Sequence, residues 1–558
     1  MMRPGLNPWV TRFAAETAAG SGVERLSDAL VRGAPCARPA PWAWSGVPGI
    51  GVGAVDATLG GCGGGAGAGD AEVLLLQVVE AVAPGPGCGL VVGTTSGLIS
   101  GAFERDGVGL GVHDYRQRPA QNVALALAKR WGVPVPVATV SVACASGAAA
   151  FDLARGWLRD GRCEQVIVAG VDVLSPFIHA GFSGIGALAF GASQPFQAER
   201  DGLMIGEGAA AVLLETPDSA LRGGRRPLCA LRGTGLSQDA VHLTAPDRSG
   251  GGLYRAAVAA VADAGIPLSD VADALDLVSG HATGTVYNDA MEAQALARLF
   301  GNAPVPVHGV KAVVGHTLGA AGTVEAVALI AMLCGAPIPY AMAMNPALGM
   351  RTCRGRRGPR GVGVGWGLSV NAAFGGVNTA LVFGPAEPYC PPFKSVVYVV
   401  AGPVVEVSGE SFPIAELPRL ADGGAPVNLG RADSYVRAGI LALAALQPRP
   451  DEAVVLSSVE NCVQADRRYL TALQQAGPAR APRLHFVYTV PGAPLAEAAI
   501  LLGITGPGLV LCGDAAQSCE QAQRLVAEGR VASAIALHVE APVAGSRASA
   551  RAVRYSGA

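Results

Sequence analysis

From about Val73 onward the chain alternates stretches of helical period with short, wholly apolar runs. Periodicity predicts a helix over Val73–Val82, a strand over Gly89–Val92 and a helix over Asn122–Trp131. A strand over Thr139–Val142, a helix over Gly147–Leu158 and a strand over Gln165–Ala169 follow, the last ending in Gly170-Val-Asp172. Apolar runs of this length between helices mark strands covered on both faces. The pattern therefore predicts a layered α/β fold with substantially parallel strands.

Residues 1–70 lack such a pattern. They contain tryptophans and prolines and then the run Gly60–Gly69, which reads as loop or flexible linker. Its Gly-x-Gly spacings neither follow a strong strand nor open a strong helix, so they make a weak case for nucleotide binding. A second break falls at Gly384-Pro-Ala-Glu-Pro-Tyr-Cys-Pro-Pro-Phe-Lys394, where four prolines can continue neither a helix nor an inner strand. A fresh strand is expected at Val396–Val400. The expected organisation is a poorly patterned segment 1–70, a main domain 71–384, a Pro-rich linker 385–395, a smaller α/β domain 396–545 and a tail 546–558.

The smaller domain echoes the larger one. Arg159-Asp-Gly-Arg-Cys-Glu-Gln-Val-Ile-Val-Ala and Ala527-Glu-Gly-Arg-Val-Ala-Ser-Ala-Ile-Ala-Leu share one layout: helix end, Gly turn, buried strand. Counting back from those turns sets Cys144 opposite Cys512, give or take a residue or two. A repeated supersecondary unit is the economical reading.

Composition narrows the setting. Among 558 residues, 50% are hydrophobic and 15% charged, which predicts a multidomain chain that buries much surface in a large oligomeric interface. A net charge of −2 gives no general reason to expect nucleic acid or an anionic membrane as partner. The first residues have no apolar core of the signal-peptide kind, and no uninterrupted apolar stretch reaches about 20 residues. Twelve cysteines without a Cys-x-x-Cys pair read as a reduced, cytoplasmic protein rather than a zinc or disulfide framework.

Four segments carry candidate chemistry. In Val140-Ser-Val-Ala-Cys-Ala-Ser-Gly-Ala-Ala-Ala150, Cys144 sits where a strand turns into an Ala-rich helix. The positive end of the helix dipole there is expected to favour the thiolate. Ser279-Gly-His-Ala-Thr-Gly-Thr-Val-Tyr-Asn-Asp289 puts His281, Thr283 and Thr285 at a strand end. Gly309-Val-Lys-Ala-Val-Val-Gly-His-Thr-Leu-Gly319 puts Lys311 five residues before His316, and an apolar helix carrying Glu325 comes next. Asn371-Ala-Ala-Phe-Gly-Gly-Val-Asn378 is a Gly turn whose backbone N–H groups could face a substrate oxygen. His308 lies close to Lys311 but reads as a bystander. Singly, a buried cysteine is usually structural and a histidine beside glycine usually a turn residue. The order and context of the four together point to thioester chemistry.

With these motifs in this order, and with Gln194-Pro-Phe-Gln-Ala-Glu-Arg-Asp-Gly-Leu-Met-Ile-Gly-Glu-Gly208 between them, the chain over about 70–385 resembles the β-ketoacyl synthases of the thiolase-like superfamily. Ala282 and Ala373 stand where that family often has Gly, and the family's opening strand is not recognisable near the N-terminus. The resemblance implies a layered α-β-α-β-α fold plus a smaller C-terminal ketosynthase-like half domain. It implies Cys144 as nucleophile, His281 and His316 on the malonyl thioester carbonyl, and Lys311 with Glu325 positioning the second histidine. Cys144, Phe374 and Gly375 would form the oxyanion hole and gate, and Thr283 and Thr285 would bind the pantetheine arm.

The implied reaction is a decarboxylative Claisen condensation between an acyl-Cys intermediate and malonyl carrier protein, without metal or redox cofactor. Implied partners are acyl carrier protein, acyl and malonyl thioesters, and a second ketosynthase-like subunit in a homodimer or heterodimer. The expected setting is bacterial type II polyketide, polyene or fatty-acid biosynthesis. Alternatives are a starter-unit acyltransferase using the same cysteine and a non-catalytic chain-length-factor-like scaffold. A thiolase would need a second catalytic cysteine where Phe374-Gly-Gly stands, and a dinucleotide oxidoreductase lacks its Gly fingerprint. Residues 396–545 carry neither the histidine nor the Lys motifs, so they are expected to be non-catalytic, completing an interface, shaping the acyl tunnel or docking the carrier.

Overall fold

Strand β1 (Trp9–Thr17) forms inside the segment that showed no clear pattern. It lies antiparallel along β8 (Gly208–Glu215), and a register shift between Val10 and Arg12 breaks the alternation that would have marked it as a strand. The computed structural model describes residues 6–39, 51–55, 71–95, 118–339, 341–356, 365–386, 399–409, 432–459, 462–477, 482–540 and 548–557. The Gly60–Gly69 run and most of the Pro-rich linker lie outside them.

Short strands β2 (Gly20–Ser21), β3 (Arg38–Pro39) and β4 (Gly51–Val52) precede the main alternation, in which each predicted element is present. A helix Ala71–Ala81 leads to β5 (Gly89–Gly93), and a helix Arg118–Trp131 leads to β6 (Val137–Val140). The Ser146–Arg159 helix then leads to β7 (Gln165–Asp172). β6 ends two residues before the predicted limit because the backbone turns there: the Val142 N–H donates to Ser146 Oγ at 3.0 Å, and Ala143 has φ 48°. The second part of the main domain supplies β9 (Cys229–Gln238), β10 (Leu275–Ser279), β11 (Val307–His308), β12 (Trp366–Ala372) and β13 (Val377–Gly384).

Beyond the linker come β14 (Val399–Gly409), β15 (Ala453–Ser458), β16 (Gly508–Cys512), β17 (Ser533–Glu540) and β18 (Ala548–Gly557). The expected tail 546–558 is thus corrected. Its alternation Ala-Ser-Ala-Arg-Ala-Val-Arg-Tyr makes β18, paired antiparallel with both β17 and β14.

Apart from β2, which pairs with β1, and β3 and β4, which pair with each other, the strands join one sheet in the order β11-β10-β12-β13-β9-β1-β8-β7-β5-β6-β16-β15-β17-β18-β14. The stretch β6-β5-β7-β8-β1 and the stretch β16-β15-β17-β18-β14 have identical chain order and identical parallel and antiparallel pairings. The repeat seen in the sequence is therefore a five-strand half fold, present twice. The copies meet where β6 and β16 run antiparallel, with Leu511 opposite Val140 and the Ser141 N–H donating to the Val510 carbonyl at 3.0 Å.

Register corrects the expected alignment. Val137 pairs with Leu90 as Gly508 pairs with Val454, so Val140 matches Leu511 and Ser141 matches Cys512. The first helix begins at Ser146, five residues after Ser141, and the second at Ala515, three residues after Cys512, so the turn that carries Cys144 is shortened in the second copy. The second copy is three residues shorter between its third and fourth strands, and counting from the Gly turn carried that deletion into the alignment.

Buried ion pairs lock the copies together. Asp152, on the Ser146–Arg159 helix, pairs with Arg530 and, at 3.0 Å, with Arg524 of the Ala515–Ala527 helix. Although burial opposes it, those two guanidiniums hold Asp152 well below the usual carboxylate range. Arg159 lies 3.6 Å from Glu528 across the same junction, and Arg155 pairs with Asp263 inside the main domain.

Candidate active site

Cys144 occupies a single 3-10 turn, Ala143–Ala145, between β6 and the Ser146–Arg159 helix. The turn is braced from both sides: Ser146 Oγ donates to the Ala143 carbonyl at 2.6 Å, and Thr95 Oγ1 donates to it at 3.1 Å. A positive φ at Ala143 costs on the order of 1 kcal/mol and directs the following side chain out of the strand line. Gly147 has no side chain because a Cβ there would lie 2.5 Å from Thr323 Oγ1 and 2.8 Å from the Gly319 carbonyl. That close approach brings the His316 loop against the nucleophile helix.

His281 follows β10 and is held by a carboxylate the sequence analysis missed. Glu292 accepts the backbone N–H groups of His281 at 2.6 Å and Ala282 at 2.8 Å. Asp289, one helical turn earlier on the same Val286–Phe300 helix, accepts from Gly284 N at 3.0 Å and Phe196 N at 2.6 Å. Two carboxylates three residues apart, just after a His-x-Thr-Gly-Thr run, were the available signal.

Lys311 is 2% exposed and forms a buried ion pair with Glu325, which also accepts from Asn371 Nδ2 at 2.6 Å. The Lys311 ammonium donates to the His281 carbonyl at 2.8 Å and stands 3.1 Å from His281 Nδ1. The expectation that Lys311 positions the second histidine is therefore corrected: its hydrogen bonds go to the first. His316 is fixed instead by the Leu318 N–H, which donates to His316 Nδ1 at 3.2 Å. The next glycine is tied down in turn, Gly319 N–H donating to Asp172 Oδ2 at 2.6 Å.

Both histidines thus accept a hydrogen bond at Nδ1, which leaves Nε2 as the protonated nitrogen of a neutral ring. Burial, and then the Lys311 charge, push both pKa values well below the ordinary histidine range. The rings lie 5.6 Å apart, nearly perpendicular, and His316 Nε2 is buried with no protein partner. The site therefore holds two neutral N–H donors.

The thiol departs from expectation. Burial pushes Cys144 up to about 11, and only part of that is offset by the Lys311 charge and by the backbone N–H groups of Phe374 and Cys144 itself. The helix terminus alone does not make a resting thiolate. Those two N–H groups form a pair near one sulfur. Gly375 does not join it, because its N–H donates to the Leu243 carbonyl at 2.6 Å. Gly375 and Gly376 instead supply φ values of 85° and 78°, which aim Phe374 at the sulfur.

Cys144, His281, His316, Thr283, Thr285 and Phe374 line one cavity of about 390 Å³. Thr283 Oγ1 and Thr285 Oγ1 are 3.1 Å apart on its wall. On the far side of Cys144 a narrow cavity of about 30 Å³ runs between Phe177, Phe182 and Phe374 to Phe486, Thr489 and Val490 of the second copy. Phe182 stacks on Phe374 with centroids 5.6 Å apart and meets Phe486 edge-on at 5.5 Å. Gly181 makes room, since a Cβ there would collide with the Phe486 ring at 2.1 Å. No local pattern marks Phe486, which arrives through the pairing of the two copies. Cys512 is fully buried at the end of β16 and lines neither cavity. Among the described residues no group of three or more His, Cys, Asp or Glu side chains is placed to hold a metal ion.

Comparison with known proteins agrees with this arrangement. Residues 76–220 match the β-ketoacyl synthase N-terminal domain and residues 228–344 its C-terminal domain. The 3-oxoacyl-[acyl-carrier-protein] synthase 2 of Mycobacterium bovis is 32% identical over 266 residues, 45% of this chain and 61% of that protein. Its namesake from Synechocystis is 31% identical over 253 residues, 43% of this chain and 59% of the relative. The chain thus spans about three fifths of the length of these relatives.

Among solved structures, the PfaC keto synthase–chain length factor superposes on 99% of this chain and 78% of its own, with a TM-score of 0.75 at 16% identity. That likeness shows the fold, both copies included. A ketosynthase in complex with its chain length factor from Xenorhabdus doucetiae covers 68% of this chain and 98% of its own, with a TM-score of 0.55 at 25% identity. Between them the two domain matches enclose Cys144, His281, Lys311 and His316, so over residues 76–344 the chain is similar to the β-ketoacyl synthases.

Proposed function

We propose that this chain is a decarboxylating β-ketoacyl-[acyl carrier protein] synthase of type II polyketide, polyene or fatty-acid biosynthesis. The observation that carries the reading is the convergence of one thiol, two Nε2–H donors and two backbone N–H groups on a single cavity.

In the first half-reaction Cys144 Sγ attacks the thioester carbonyl of an acyl carrier protein. The oxygen gains negative charge while facing the N–H groups of Cys144 and Phe374. The carrier sulfur leaves and takes up the thiol proton. That transfer suits a nucleophile held neutral at rest, because its proton is needed by the leaving group.

In the second half-reaction a malonyl carrier thioester loses carbon dioxide, and the electron pair of the broken C–C bond enters an enolate. Its oxygen accepts from His281 Nε2 and His316 Nε2. Neutral rings suit the task, since an imidazolium would protonate the carbanion. The enolate carbon attacks the acyl-Cys144 carbonyl, the tetrahedral oxyanion collapses, and Cys144 Sγ is released. Lys311 acts as a positioning residue: its ion pair with Glu325 and its bond to the His281 carbonyl fix that ring. Thr283 and Thr285 stand where the pantetheine arm would thread.

The second copy is read as a non-catalytic partner half that closes the acyl tunnel. Support comes from Phe486, Thr489 and Val490 beside Cys144, and from Gly513 and Asp514 making the shortened turn where Cys144 stands in the first copy. The test is incubation with acyl- and malonyl-carrier proteins, following carbon dioxide release and intact mass. An acyl adduct on Cys144 followed by β-ketoacyl product is expected. Adduct without carbon dioxide release would favour the starter-unit acyltransferase, and neither would favour the scaffold.

A further inference from the structure

Asp172, the last residue of β7, is fully buried between the segment that carries Cys144 and the segment that carries His316. Its Oδ1 accepts from Thr94 Oγ1 at 2.8 Å, and its Oδ2 accepts from the backbone N–H groups of Thr95 at 2.8 Å and Gly319 at 2.6 Å. On one side the path continues to the thiol: Thr95 Oγ1 donates to the carbonyl of Ala143, the residue before Cys144, at 3.1 Å. On the other it continues to the ring, because Leu318, next to Gly319, donates its N–H to His316 Nδ1 at 3.2 Å.

The loop is drawn tightly onto this carboxylate. A Cβ at Gly319 would lie 2.5 Å from Thr95 N and 2.7 Å from Asp172 Oδ2. Leu318 is held at φ 52°, which costs a branched residue on the order of 1 kcal/mol and persists only where neighbouring bonds fix it.

The second copy separates the role of the half fold from the role of the site. Register makes Glu540 the counterpart of Asp172 and Val459 the counterpart of Thr95. Val459 N–H donates to Glu540 Oε1 at 3.0 Å, so the bond from the β5 or β15 end to this carboxylate belongs to the half fold. The difference is what else the carboxylate meets. Glu540 Oε1 stands 3.1 Å from His538 Nε2 of its own strand, whereas Asp172 reaches out to the His316 loop. Charge adds a second mark of its place. After burial, charges act on the Cys144 thiol in opposite directions: Lys311 lowers its pKa and Asp172 raises it.

We propose that Asp172 is a positioning residue that fixes the His316 loop against the Cys144 turn, so that the enolate forms within reach of the acyl carbonyl. The inference rests on the condensing reading above. Carbon–carbon bond formation needs its two carbons about 3–3.5 Å apart, and a displacement of about 1 Å can cost about 10²-fold in rate.

The test uses the full chain and three variants. Asp172→Ala removes the acceptor. Asp172→Asn removes the charge only, because its Oδ1 can take both N–H groups while Nδ2 donates to Thr94 Oγ1. Glu540→Gln is the matching change in the second copy. Carbon dioxide release from malonyl carrier protein is expected to fall at least about tenfold in Asp172→Ala, to stay within about threefold in Asp172→Asn and within about twofold in Glu540→Gln. Two further readouts need no condensation. Iodoacetamide should alkylate Cys144 about threefold faster in Asp172→Asn near pH 8, the direction opposite to loss of Lys311. Hydrogen exchange in the peptide 316–322, followed by mass, should rise at least about tenfold in Asp172→Ala while the peptide carrying β7 stays protected. An unmodified protein that releases no carbon dioxide removes the condensing reading and leaves alkylation and exchange to judge the tie. Unchanged exchange in Asp172→Ala, unchanged alkylation in Asp172→Asn, or an equal loss of carbon dioxide release in Glu540→Gln overturns the proposal; the Asp172→Asn arm stands even if circular dichroism shows Asp172→Ala unfolded.

Discussion

The molecule contains the same five-strand half fold twice, and only one copy sets a cysteine against the His281 and His316 loops. In the first copy β8 runs Gly-Ala-Ala-Ala-Val-Leu-Leu-Glu and is buried at every position, because the Ala321–Leu333 helix packs against it. In the second, β18 alternates buried Ala548, Ala550 and Ala552 with exposed Ser549 and Arg551, and Arg551 reaches Glu406 of β14 at 3.3 Å. Among the described residues nothing in the second copy corresponds to residues 275–325, which bring His281, Lys311 and His316. A five-strand half can offer a strand-to-helix turn. It needs the second half of the fold to turn that position into a site.

Substitutions can break this contrast. Cys144→Ala is expected to abolish acyl-enzyme formation and lower condensation by at least about 10³-fold, whereas Cys512→Ala leaves it within about twofold, read by product mass and intact-protein mass. A large loss in Cys512→Ala would mean that the second copy takes part. Next in size is Asp152→Ala, which leaves two guanidiniums facing each other at the junction. Urea unfolding should register about 3–5 kcal/mol of lost stability.

Acid weakens an ion pair next to that junction, inside the main domain. Asp263 is held at about 2, mainly by the charges of Arg155 and Arg159 against the opposing effect of burial. A folded pKa below the unfolded value, about 4, gives stabilisation that is complete above that value and lost as the pH falls toward 2. Thermal melts between pH 6 and 3 should show the decline, and Asp263→Asn should flatten it.

Lys311→Met removes a charge that lowers the Cys144 pKa and an anchor of His281. Decarboxylation is expected to fall about 10–100-fold, while Cys144 alkylation by iodoacetamide slows more modestly. In the unmodified protein the alkylation rate should keep rising with pH toward about 11. A plateau near neutrality would contradict a thiol neutral at rest. Smallest of all, Arg551→Ala removes an exposed pair and should change stability by no more than about 0.5 kcal/mol.

What the sequence disclosed follows from how local each signal is. Helices and inner strands of the first copy were legible because apolar periodicity is written within ten residues, and the four chemical segments because each lies at a strand end. β1 was hidden by its register shift, and β18 by its resemblance to a polar tail. Glu292 and Asp289 escaped notice because they act on backbone N–H groups rather than on a motif. Phe486 and the Lys311–His281 bond depend on how distant segments meet, which no local pattern encodes. The thiol pKa was misjudged because burial outweighs the helix terminus.

Gly156 carries one further consequence. A Cβ at that position would lie 2.4 Å from Arg524 Nε, and counting from the two Gly turns makes Gly156 and Arg524 each other's counterparts across the pseudo-twofold. Had two identical chains met here, both residues would have been glycine, leaving a void, or both arginine, forcing like charges into the same space. Joining both sides in one polypeptide frees each from having to fit its own mirror, so a small residue can face a large cation and the seam can specialise in one direction.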